Sequence, residues 1–122
     1  MDKIKSFREL KIWSLGKDIV LEIYERTKIF PKEELFSLVS QMRRSAISIP
    51  SNIAEGFSRY HNKEYRQFLF HALGSCSELE TQLEICYDLK YIENQFKTRL
   101  IEKIQFESKM IRNLIKKLNL VD

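Results

Sequence analysis

Three glycines, two prolines and two cysteines are all that the 122 residues hold of the types that break or staple a backbone. With so little punctuation there is no flexible linker, low-complexity tract or internal repeat, and an apolar content of 43% fits one globular domain over residues 1–122. Cys76 and Cys86 stand ten apart without a C-x-x-C pair, so neither a disulfide framework nor a thiolate zinc motif has a basis. At helical spacing both fall on an apolar stripe, as free thiols of a reducing compartment. The two histidines, His61 and His71, form no H-E-x-x-H pair. There is no Walker A or G-x-G-x-x-G loop, and no serine is marked as paired to a histidine, so no cofactor, metal or catalytic residue is expected. No run approaches the roughly 18 apolar residues of a membrane span, and the basic start Met1-Asp2-Lys3-Ile4-Lys5 has no apolar stretch behind it. The expectation is a cytoplasmic protein with no membrane partner.

What the chain does have is periodicity. Four stretches carry apolar residues every three or four positions, the pattern of amphipathic helices, and strands have no support. The first runs from about Phe7 to Lys28, with Trp13, Gly16, Ile19, Val20, Ile23, Tyr24 and Thr27 on one face. The second starts near Pro31 or Lys32, points Leu35, Leu38, Val39, Met42, Ala46, Ile49 and Ile53 inward and ends near Gly56. Pro50 removes a backbone bond to residue 46 and predicts a kink there, or a break into two helices. The third, Asn62 to Leu89, carries the clearest stripe, from Tyr65, Phe68 and Leu69 to Leu83 and Cys86. The fourth, Glu93 to Leu118, aligns Phe96, Leu100, Ile104, Ile111, Leu114 and Leu118. Short connections between four long helices predict an all-α, antiparallel up-down-up-down four-helix bundle. Phe36, Ile47, Phe106, Met110 and Ile115 lie off these stripes, which suggests either a subunit interface or ordinary surface scatter.

The net charge of +4 permits a nucleic-acid partner without requiring one. In an up-down bundle the first helix's start, the second turn and the fourth helix's end share one pole. Residues 1–13, 55–68 and 105–122 together hold eleven basic and six acidic side chains, so the remainder of the chain is slightly acidic. The turn Phe57-Ser58-Arg59-Tyr60-His61-Asn62-Lys63 interleaves cations with aromatics, a mix that can clamp phosphates and stack bases. Arg66 follows it, and Lys109, Arg112 and Lys116 share one face of the fourth helix. Cations near a helix C-terminus also complement its dipole, so a merely solvated face competes with RNA binding. Arg43 and Arg44 sit beside the core stripe and need a partner. A hairpin about residue 60 places position 43 opposite position 77, and the expected structural ion pair is Arg43 or Arg44 with Glu80.

The run Ser48-Ile49-Pro50-Ser51-Asn52-Ile53-Ala54-Glu55-Gly56-Phe57-Ser58-Arg59, preceded by Gln41-Met42-Arg43-Arg44-Ser45-Ala46, closely resembles the signature of the 23S rRNA-intervening-sequence protein family. Phe7-Arg8-Glu9-Leu10 with Trp13, and Gly74-Ser75-Cys76-Ser77-Glu78-Leu79-Glu80, resemble its first and third helices. Gly16 departs from the Ala that such a pattern suggests. The resemblance implies a bacterial four-helix bundle that assembles into a ring, a homopentamer in known relatives, with genes lying in insertions within 23S rRNA genes. A related accessory protein of diversity-generating retroelements binds nucleic acid and a reverse transcriptase through a basic surface. Together these readings predict a non-enzymatic homo-oligomer that binds structured RNA through Arg59, Lys63, Arg66, Lys109, Arg112 and Lys116. The alternatives are a scaffold for a protein partner, and an RNA-cleaving enzyme built on Glu55, Glu64 and Glu107.

Overall fold

The computed structural model describes residues 3–121; Asp2 and Asp122, two acids counted at the basic pole, lie outside them. Ser6 and Glu9 form a reciprocal cap: the Ser6 hydroxyl accepts from the Arg8 N–H at 3.2 Å and the Glu9 carboxylate accepts from the Ser6 N–H at 3.0 Å. The cap closes Phe7–Glu9 into a separate 3₁₀ turn, and Leu10 is extended, so α1 spans Lys11–Thr27 rather than starting at Phe7. It buries Ile12, Gly16, Ile19, Ile23 and Thr27; Trp13, Val20 and Tyr24 sit at the edge of the core.

The second helical region is not uniform. A 3₁₀ turn, Lys32–Glu34, leads into a π-helical turn, Leu35–Val39, and then into α2, Ser40–Phe57. A wider π turn shifts the register of side chains around the axis. Val39 is buried, whereas Leu35, expected inward, is exposed, and Phe36 stands 92% exposed. From Ser40 the helix continues through the buried Pro50 without the break that proline allowed.

α3 spans Asn62–Asp88 and α4 Asn94–Leu120. Between them the Tyr91 N–H donates to the Cys86 carbonyl and the Lys90 N–H to the Tyr87 carbonyl, both at 2.9 Å. This is a Schellman closure with Lys90 at φ 67°, in the left-handed region where glycine is usual. In α4 the buried row is Leu100, Ile104, Glu107, Ser108, Ile111 and Ile115. Ile115, placed off the stripe by the sequence, therefore belongs to the core, while Leu114 and Leu118 are half-buried at its border.

Four helices enclose one apolar core, and contacts between neighbours run in opposite directions along the chain. Met42 meets Cys86, Ser48 meets Ser75, and Gly56 abuts Tyr65 and Phe68 across α2 and α3. At this last point a Cβ on Gly56 would lie 2.9 Å from Phe68 Cβ and Tyr65 Cδ1, so only glycine lets the two helices close toward their turn. Glu84 pairs with Lys97 and Glu80 with Gln105 across α3 and α4. The α1–α4 seam is polar at one end: Arg26 pairs with Glu93, and Glu22 pairs with Arg99 at 2.6 Å and Lys103 at 2.7 Å. Both cysteines are buried free thiols, pushed up by burial to about 11 for Cys76 and about 12 for Cys86.

Candidate nucleic-acid interface

Two contacts bring the charged segments to one end of the bundle. Arg66 Nη1, in the first turns of α3, donates to the Leu118 carbonyl near the end of α4 at 3.2 Å. Leu10, Lys11 and Ile12 at the start of α1 share a shallow hollow with Met110, Asn113, Leu114 and Lys117.

The six candidate cations differ in what already occupies them. Lys109, Arg112 and Lys116 are exposed on α4. At about 100° per residue they fall within an arc of about 60°, so they form one basic stripe. Among the described residues no ion pair takes up any of the three. Arg59 lies with its guanidinium 4.7 Å above the Phe68 ring and 3.8 Å from the Glu55 carboxylate, which partly neutralises it. Lys63 is exposed in a hollow with His61, Asn62 and Glu64. Arg66 is half-buried and its bond to the α4 backbone makes it a packing residue as well as a charge. Next to Arg59, Tyr60 is 99% exposed and offers a bare ring on which a base could stack.

Arg43 does not pair with Glu80. Its Nε donates to Thr27 Oγ1 at 3.0 Å, its Nη2 to the Tyr24 carbonyl at 3.4 Å, and its guanidinium lies 4.4 Å over the Tyr24 ring. Met42 and Ala46 hold the core side of α2, so Arg43 leaves toward α1 rather than α3. Glu80 instead accepts from Gln105 Nε2 at 3.3 Å. Arg44 points the other way and lines a hollow with Glu78, Gln82 and Phe36.

A groove of about 670 Å³ runs along the π turn and α2, with Tyr24 of α1 at its edge; Arg43, Ser48 and Asn52 are among its polar lining and Leu35, Phe36 and Ile47 among its apolar lining. Ser48 anchors it: Asn52 Nδ2 donates to the Ser48 hydroxyl at 2.8 Å, and Ser48 is joined to Ser75 on α3 at 2.8 Å.

Glu107, counted from the sequence as an acid of the basic pole, is instead fully buried, and neither carboxyl oxygen has a hydrogen-bond partner. Burial pushes its carboxyl up to about 8, so at pH 7 it is mostly neutral and takes little charge from the pole. Its place in the sequence carried the signal, since it lies three residues from Ile104 and four from Ile111 on the buried row. Glu55 and Glu64 are exposed, so the three carboxylates of the nuclease alternative do not meet. Among the described residues no group of three His, Cys, Asp or Glu side chains is placed to hold a metal ion. Nor is any helix there long and apolar enough to cross a membrane.

Comparison with known proteins gives this arrangement a family. No curated protein matches the sequence. The fold is similar to the crystal structure of a protein of unknown function from the S23 ribosomal protein family of Bacteroides thetaiotaomicron. The two agree with a TM-score of 0.80 at 23% identity, over 86% of this chain and 95% of that one. The family model described as 23S rRNA-intervening sequence protein matches residues 8–113. With the model covering α1, α2, α3 and most of α4, the chain belongs to the 23S rRNA-intervening sequence protein family.

Proposed function

We propose that this protein is a non-enzymatic, single-domain homo-oligomer of the bacterial cytoplasm that binds structured RNA through its basic pole. The observation that carries the reading is the stripe Lys109, Arg112 and Lys116, exposed on one face of α4 at the end where Arg59, Tyr60 and Lys63 stand. A row of lysine and arginine side chains at helical spacing follows a phosphate backbone, and an exposed tyrosine beside it stacks a splayed base. Arg59 and Lys63 extend the stripe across the α2–α3 turn, and Arg66 holds the two parts together.

The subunit contact is assigned to the groove along the π turn and α2. Phe36 at 92% exposure and Ile47 at 41% flank it, and an apolar rim around a groove of this size is what a second subunit covers. The family resemblance implies five subunits, which would repeat the basic pole around a ring and multiply weak phosphate contacts by avidity.

The test is a titration of structured and single-stranded RNA at two salt concentrations, comparing the native chain with a Lys109→Glu, Arg112→Glu, Lys116→Glu variant. All three positions are exposed, so helicity and oligomer mass should be unchanged. Tight binding that falls steeply with salt, with the log–log slope reduced by about 2–3 in the variant, supports the reading. No binding of either RNA by the native chain overturns it and leaves a scaffold for a protein partner. In the same experiment Phe36→Asp should lower the oligomer mass while helicity is kept.

A further inference from the structure

The α1–α4 seam is built differently along its length. Toward the start of α4 it is closed by ion pairs, with Arg26 on Glu93 and Glu22 on both Arg99 and Lys103. One turn beyond Lys103 these stop, and the next inward group is Glu107, at 0% exposure with both carboxyl oxygens unpartnered. Its surroundings offer nothing to replace a charge partner. A Cβ on Gly16 of α1 would lie 3.0 Å from Glu107 Oε2 and 3.4 Å from both Ile49 Cγ2 and Pro50 Cβ, so the carboxyl sits in a wedge between α1 and α2 that exists because residue 16 has no side chain.

The groups facing that wedge can be named helix by helix. Gly16 on α1, and Ile49 and Pro50 on α2, do not titrate. From α3 come Cys76, whose thiol burial raises to about 11, with Glu107 and Glu80 lesser causes, so that it stays neutral over the relevant range, and Glu80, whose carboxylate accepts from Gln105 and supplies no positive charge. On α4 itself Lys103 is held by Glu22, and Arg112 is exposed on the outer face, near enough to Cys76 to favour its thiolate slightly. A neutral carboxyl tolerates this enclosed site at modest cost, but a carboxylate with no cationic or hydrogen-bonding protein partner is far more expensive.

We propose that Glu107 is a proton-held latch: its neutral carboxyl keeps the C-terminal half of α4 seated on α1 and α3, and loss of the proton releases that half. The proposal stands apart from the RNA reading, because it rests on the wedge alone. A carboxylate at this point gains hydration only if α4 withdraws from Gly16; among the described residues the α1–α4 seam itself has no ion pair beyond Lys103, and the Arg66 bond from α3 to the Leu118 carbonyl is a polar tie that the withdrawal must overcome or carry with it. The half that opens carries Lys109, Arg112 and Lys116.

The sign follows from linkage. The folded carboxyl binds its proton up to about 8 and the opened one only to its ordinary 4.5, so opening releases a proton between those values. Seating is therefore strongest at low pH and is lost as pH rises toward 8.

The test is amide hydrogen exchange of the full chain between about pH 5 and about pH 8, corrected for intrinsic rates, on native protein and on Glu107→Gln, which keeps the shape without a proton to lose. The expected result is an opening constant for the amides of Ile104 to Ile115 that grows about tenfold per pH unit in the native chain relative to the variant. A ratio that stays flat across that range overturns the proposal. Carbon-detected titration of the native glutamate carboxyls keeps it falsifiable if the variant does not fold. One carboxyl titrating above pH 7 supports the latch, and all of them titrating in the usual carboxylate range sink it.

Discussion

Gly16 on α1 and Glu107 on α4 share one space: the hydrogen of the glycine occupies the point from which a Cβ would stand 3.0 Å from Glu107 Oε2. Either residue alone reads as an oddity, a glycine inside a helix and an acid inside a core. Together they are one packing solution, in which the smallest residue makes room for a long polar one.

This pair predicts a reversal of sign. Gly16→Ala gains helix propensity worth about 1 kcal/mol, but in the native background the new methyl stands only 3.0 Å from Glu107 Oε2, whereas Ile49 and Pro50 at 3.4 Å are in ordinary contact, and the crowding cannot be relieved by a carboxyl that is itself fully enclosed. Overpacking of this kind costs about 1–3 kcal/mol, so the substitution should destabilise. In a Glu107→Ala background the obstruction is gone and the same substitution should stabilise. Urea unfolding of the four chains of this cycle checks it, and additivity within about 0.5 kcal/mol would refute the shared space.

Lys90 offers a simpler gain. It holds φ 67° in the turn that closes α3, a region in which an L side chain is strained and glycine is not. The two backbone bonds of the closure, from Tyr91 to Cys86 and from Lys90 to Tyr87, do not involve the lysine side chain. Lys90→Gly should therefore raise stability by about 0.5–1 kcal/mol, read as a shift of the urea midpoint with unchanged slope.

The polar end of the α1–α4 seam makes the opposite pH prediction to its buried end. Burial acts to raise the Glu22 carboxyl, but hydrogen bonds from Arg99 and Lys103 outweigh it and hold the carboxyl below its ordinary 4.5. A depressed folded value gives stability that is present above 4.5 and lost as pH falls through the folded value. Glu22→Gln should flatten the acid side of the stability profile, by about 1 kcal/mol or less for pairs this exposed, and leave the alkaline side unaltered. Thermal unfolding of both chains over an acid pH series measures this.

How much of this could be read from the sequence varies with the physics involved. The helices were legible because their apolar rows repeat at the helical period, as from Leu69 through Ala72, Cys76, Leu79 and Leu83 to Cys86. Local hydrogen bonds were not: the Ser6–Glu9 cap that detaches Phe7–Glu9 from α1, and the π turn that sends Leu35 outward, leave the apolar spacing almost unchanged. The Arg43 expectation failed because hairpin register fixes height along α2 but not the side from which a chain leaves the axis, and Thr27 on α1 received it. The cations of the candidate site were legible by type. Which of them are already engaged, as Arg66 is with Leu118, depends on contacts between helices 52 residues apart.

The two thiols give the molecule a pair of built-in clocks. At pH 7 a thiol raised to about 11 is ionised in roughly one molecule in ten thousand, and one raised to about 12 less often still. An alkylating reagent therefore reacts with either only when the helices part. Cys86 lies against Met42, and its labelling times the separation of α2 from α3; Cys76 is buried where α3 faces Ser108 and Glu107 of α4, and its labelling times the departure of α4. The ratio of the two rates reports which joint of the bundle yields first.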